Sequence, residues 1–217
     1  MHFIDIPTEQ TTAVTDAISM AIAIAAALYL HWTQQKDRWK TNLWIVAFSM
    51  LSLAAMLGAI AHGFQMSKAF QAYLWHPLNL SLGLLVALFV VAVVYDIWGK
   101  IAARRVLPMM ALIGCGFFGV TLIWPDSFLV FIIYEATVMF FALGGYTWLA
   151  IRGSLEGAWF MAAGVLITII AAGIQASNTV SFALIWPFDH NGVYHLVQML
   201  GIVAFVLGLR RSVGVQS

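Results

Sequence analysis

The segment Asp189-His190-Asn191 and the segment His195-Leu196-Val197-Gln198 place an acid, two imidazoles and two carboxamides where an apolar run to Leu209 begins. Ionisable groups at the mouth of a membrane-crossing helix are costly unless paired, hydrated or metal-bound, so this stretch is a site candidate by default. Asn191, His195 and Gln198 share one helical face. His190 is rotated off that face, and converges on it only if residues 189–191 are not yet helical. His62, after Leu57-Gly58-Ala59-Ile60-Ala61, and the i, i+3 pair His76 and Asn79 bring imidazoles from two further helices. Glu9, Thr12 and Asp16 are spaced to face one way. Glu9 has an alternative as a helix cap, whereas Asp16 lies inside an apolar run, where a carboxylate is expensive. Imidazole with carboxylate is a ligand set for zinc, and a catalytic zinc uses three protein ligands and keeps one position for water.

The elements that must position these groups are membrane helices. With 63% hydrophobic and 9% charged residues, the chain lacks the polar surface of a soluble globule. Seven runs are long enough to span: 11–33, 43–64, 76–98, 106–124, 127–150, 157–178 and 190–209. The expectation is an all-α, seven-transmembrane bundle that forms one domain over residues 1–217. The acidic start, Asp5 to Glu9, lacks the basic region of a secretory signal, so the first run reads as a retained helix. A net charge of +1, with basic residues scattered through short loops, excludes nucleic acid as a partner. Cys115, the single cysteine, forms neither an intrachain disulfide nor a Cys-rich metal site.

Lys36, Arg38, Lys40, Lys100, Arg104, Arg105, Arg152, Arg210 and Arg211 fall on one side of the seven runs, and Lys68 alone on the other. The positive-inside rule then predicts an outer amino terminus and a cytoplasmic carboxyl terminus. Trp32, Trp39, Trp44, Trp98, Trp148 and Trp159 fall at the cytoplasmic ends, and Trp75, Trp124 and Trp186 at the outer ends, as interfacial anchors do. Pro77, Pro125 and Pro187 fall before or within first turns, where the missing N–H costs nothing. With this topology the His, Asp and carboxamide groups collect in the outer half of the bundle. Glu135, inside the fifth run, stands apart.

Seven helices, a histidine closing the second and histidines opening the seventh resemble the superfamily of alkaline ceramidases, progestin and adiponectin receptors, and Per1-type GPI-remodelling hydrolases. That resemblance implies a zinc site for hydrolysing lipid amides or esters, with His62 and His195 in two histidine positions. Gly58 stands in place of the motif serine, no Asp opens the third run, and His190-x4-His195 replaces an x3 pair. Asp16 is the candidate replacement for the missing carboxylate, and Glu9 to Asp16 looks like the opening of prokaryotic members of such families.

The first reading is therefore a zinc-dependent hydrolase acting on a membrane lipid at the outer face of a prokaryotic inner membrane. His62, His195 and either His190 or His76 would hold the metal, Asp16 would be the general base with His76 a second catalytic candidate, and Glu9, Asn79 and Asn191 are the expected cofactor-binding residues. Haem ligated by two histidines, a proton or small-solute transporter, a ligand-binding receptor and a purely structural bundle stay open beside it. Retinal is excluded, because every lysine lies in or beside a loop. Gly114-Cys115-Gly116 and Gly144-Gly145 permit close helix contact, either within the chain or in a homo-oligomer.

Overall fold

The computed structural model describes residues 2–33, 36–124 and 128–212. Among these lie six helical elements, α1 Pro7–Trp32, α2 Arg38–Gly63, α3 Lys68–Ile123, α4 Phe128–Ile151, α5 Ala158–Ser177 and α6 His190–Ser212. All are long and apolar enough to cross a bilayer, which is compatible with an integral, all-α membrane protein. Large apolar side chains such as Leu112, Ile133, Phe140 and Leu200 are exposed, as lipid-facing positions are.

Six helical elements among the described residues stand where seven were expected, because the runs 76–98 and 106–124 both belong to α3. Its 56 residues would extend about 84 Å if straight. They do not run straight: Gly99 is non-helical at φ 83° and ψ 177°, a region essentially closed to side chains larger than hydrogen. The two arms fold back on each other, and a Cβ on Gly83 would lie 2.7 Å from the Gly114 carbonyl oxygen. Gly114 thus serves contact within the chain, as does Gly145 against Val93 and Ile97, while Gly116 and Gly144 have open space.

Helix starts explain the other differences. Ser67 caps α3 by accepting a bond from the Phe70 N–H at 3.3 Å. Pro77 is therefore inside the helix rather than in its first turn, and the Tyr73 carbonyl loses its helical donor. Pro187 does precede α6, in a short ladder of β3 Phe182–Ala183 with β4 Pro187–Phe188. Pro125, and the start at 127 of the expected fifth run, lie outside the described residues. Trp44 is no interfacial anchor: it is 2% exposed and packs on Phe48, Phe89 and Phe205 in the core.

The elements close a ring, α1 on α2, α2 on α3, α3 on α4, α4 on α5, α5 on α6, and α6 on α1. One end of the ring, here the site end, holds the starts of α1 and α6 and the end of α2. There β1 His2–Phe3 pairs with β2 Phe64–Gln65, and Phe3 stacks on Phe64. At the far end Lys40 and Asp96 form a buried ion pair at 2.6 Å. Lys40 also donates to Ser212 Oγ at 3.0 Å, and the Tyr146 hydroxyl donates to Asp96 Oδ2 at 3.2 Å. This joins α2, α3, α4 and α6. Asp37 caps α2 through the Lys40 N–H and accepts the Tyr95 hydroxyl.

Candidate functional site

A half-open cavity of about 510 Å³ descends from the site end into the ring, within the range of small-molecule sites. Trp124, Asn178, His190 and Asn191 belong to its rim. Asp16, Ser19, His62, Asn79, Gln175, His195 and Gln198 give its wall a polar stripe, and Leu51, Leu82, Phe131 and Ile202 give it an apolar interior. Polar groups thus sit above an apolar pouch.

Asp16 and His195 meet across the α1–α6 seam, with His195 Nε2 at 3.2 Å from Asp16 Oδ1. Both helices start at the site end, so position 9 beyond Pro7 and position 5 beyond His190 converge only because the helices are parallel neighbours. Gly58 on α2 leaves the space that this carboxylate uses: a Cβ there would lie 2.7 Å from Asp16 Oδ2. Neither Asp16 carboxylate oxygen has a hydrogen bond among the described residues, and Asp16 lines the cavity.

His62 belongs to a second pair, its Nδ1 lying 2.6 Å from Glu9 Oε2. Glu9 is no helix cap, since α1 is preceded by Ile6 with no side-chain cap bond. Its carboxylate instead crosses to α2 and orients the His62 ring, which rests edge-on against Trp75. Thr12 donates to Asp189 Oδ1 at 3.3 Å, and the same oxygen accepts the Gly192 N–H at 3.0 Å. Asp189 thus caps α6 and ties it to α1. Glu9, Thr12 and Asp16 do share a face, but each reaches a different partner.

The remaining expected residues divide. His190 lines the cavity although α6 begins at it, since the first turn lies at the rim. Asn191 lines it too, accepting from Gln175 Nε2 at 3.4 Å, and Asn79 faces it from α3. His76 is not among the lining side chains. Its ring contacts Tyr73 and Phe118, because one residue beyond Trp75 turns it about 100° around the helix. His76 therefore stands outside the cavity lining. Ser19, Trp75, Gln175 and Tyr194 join the site without having been singled out. Ser19 was findable, three residues after Asp16 on the same face. Glu135 is 7% exposed, has no hydrogen-bond partner among the described residues, and lies within electrostatic range of Tyr194.

Zinc needs three protein ligands around one point. Among the described residues no three His, Cys, Asp or Glu side chains converge in that way. The expected set of His62, His190 and His195 shares the cavity but not a common centre. Asp16 and His195, 3.2 Å apart, match the roughly 3.3 Å edge of a tetrahedron with bonds near 2.0 Å.

Fold and site together define an α-helical bundle, compatible with a membrane, that carries a carboxylate–imidazole cavity open at one end. The chain belongs to a family of unknown function, DUF6962, which it matches over residues 11–213. No curated protein and no solved structure matches it.

Proposed function

We propose that the protein is an integral membrane hydrolase that cleaves an ester or amide of an amphiphilic lipid. The observation that carries this is the Asp16–His195 pair at the boundary between a polar rim and an apolar pouch. A lipid entering the cavity would leave its acyl chain beside Leu51, Leu82 and Ile202 and its carbonyl beside the pair. Asp16 Oδ2 accepts a proton from water, the water oxygen attacks the carbonyl carbon, and the C–O or C–N bond breaks as that proton passes to the leaving oxygen or nitrogen. His195 Nε2 stands 3.2 Å from Asp16 Oδ1. The Glu9–His62 pair, across α1 and α2, holds a second imidazole at the same cavity.

We further propose seven crossings, the two arms of α3 counting separately about Gly99. The grouping of Lys36, Arg38, Lys40, Lys100, Arg104, Arg105, Arg152, Arg210 and Arg211 toward the far end supports a cytoplasmic far end, with the amino terminus and the cavity outside. A prokaryotic inner membrane is the proposed location.

The test combines turnover and metal analysis on detergent-purified protein. Wild type should release fatty acid from lipid esters or amides, and His195→Ala should not; no release from either class by wild type overturns the hydrolase reading. About one zinc per chain, lost in His195→Ala, would add the ion as the activator of the water. Iron with visible absorbance would favour haem instead. A second reading, a proton or small-solute pathway, rests on Glu135, buried without a hydrogen bond among the described residues and within electrostatic range of Tyr194. It would show as proton movement into vesicles without turnover.

A further inference from the structure

One helical turn deeper than the Asp16–His195 pair, the same seam carries a second polar layer. Ser19 follows Asp16 by three residues and Gln198 follows His195 by three, so both lie roughly 4.5 Å further along helices that run the same way. Both line the cavity. Ser19 is 3% exposed. Its Oγ and the Gln198 Oε1 are buried atoms with no hydrogen-bond partner among the described residues.

The orientation of the Gln198 amide is fixed by its neighbours. Thr168 Oγ1 gives its proton to the Gly164 carbonyl at 3.0 Å and is left as an acceptor, which Gln198 Nε2 satisfies at 3.2 Å. A flipped amide would set its oxygen against that acceptor. Oε1 is therefore held as an acceptor without a donor. An unmet buried acceptor and an unmet buried hydroxyl are each unfavourable in an apolar setting, and a buried native group of this kind calls for a partner. A hydroxyl placed between the two residues would meet both needs, donating to Gln198 Oε1 while accepting from the Ser19 O–H. An amide N–H meets only the first.

We propose that Ser19 and Gln198 form a specificity subsite for a hydroxyl on the acyl chain, close to the scissile carbonyl. The natural substrate class is then a hydroxyacyl lipid, with the hydroxyl at about the β carbon at that depth. This deepens the hydrolase reading and rests on it for the word substrate; the binding subsite itself does not.

The experiment compares the β-hydroxy and plain forms of one dodecanoyl amide. Binding to detergent-purified protein is read by thermal shift titration, and mass spectrometry of the same samples reads turnover. Wild type should bind the hydroxylated form about tenfold more tightly, as two modest hydrogen bonds allow. Ser19→Ala and Gln198→Met, each close in shape to the residue replaced, should bring the ratio near one. Equal binding of the two forms by wild type overturns the subsite, and assigns the two polar groups to bridging water instead. A preference that survives in both variants overturns it as well. A preference lost in the variants, with neither amide hydrolysed, supports the subsite and removes the hydrolase reading alone.

Discussion

The two ends of the bundle bury charge in opposite ways. At the far end Lys40 and Asp96 meet at 2.6 Å, and Ser212 and Tyr146 take up further bonds. Each member of that cluster is answered by a neighbour and the cluster ties four elements, although the nearby Trp44 Nε1 is buried without a partner among the described residues. At the site end Asp16 stands 3.2 Å from His195 without a hydrogen bond, and Ser19 and Gln198, which line the cavity, each keep a buried atom without a partner among the described residues. Complete satisfaction makes a fastening. Incomplete satisfaction beside a cavity makes a place for a ligand.

If that contrast is right, the ends respond differently to substitution. The largest effect is on chemistry: Asp16→Asn should lower turnover of a lipid ester or amide by about 10²–10⁴-fold. Its melting temperature in detergent should hold or rise, since a strained functional charge has been removed. A fall in melting temperature as large as that of a far-end variant would make Asp16 structural. Next, Lys40→Met should cost about 3–5 kcal/mol of stability, because Asp96 is left buried without its cation. Adding Asp96→Leu should restore most of that loss, and chemical denaturation of the single and double variants decides the point. The smallest effect is at Glu9. Glu9→Gln keeps a neutral hydrogen bond to His62 in place of a charge-assisted one, and should reduce turnover about fivefold with little change in stability, as steady-state assays and thermal melts would show.

Much of this was legible from residue types and spacing. Asp16, His62, His195, Asn79 and Asn191 were singled out because polar groups inside apolar runs are costly, and all five line the cavity. Helix boundaries followed from hydropathy to within about five residues, except in α3, which begins at Lys68 rather than 76 and runs on as one element. There the hydropathy dip around Lys100 to Arg105 marks the turn in the path, but Gly99 turns it with a single non-helical residue rather than a loop. His76 misled for a simple reason. Its depth matched the other histidines, but hydropathy reports depth and not the angle around the helix axis. Trp44 misled likewise, since a tryptophan near a helix end serves an interface or a core depending on which face its neighbours cover. Lys40 was counted only as a loop-side charge, and its partner Asp96 lies 56 residues away.

Composition and period therefore determined by themselves that the chain builds apolar helices, where they begin and end, and which carry polar groups at one depth, because these properties depend on local transfer free energy and on 3.6-residue periodicity. Which polar groups meet depended on the ring order that sets α1 beside both α2 and α6. Glu9 then went to His62, Asp16 to His195 over Gly58, and Asp189 to the cap of α6. Partner choice is a property of helix rotation and neighbour order, and those are settled only when the packed side chains of all six elements fit together at once.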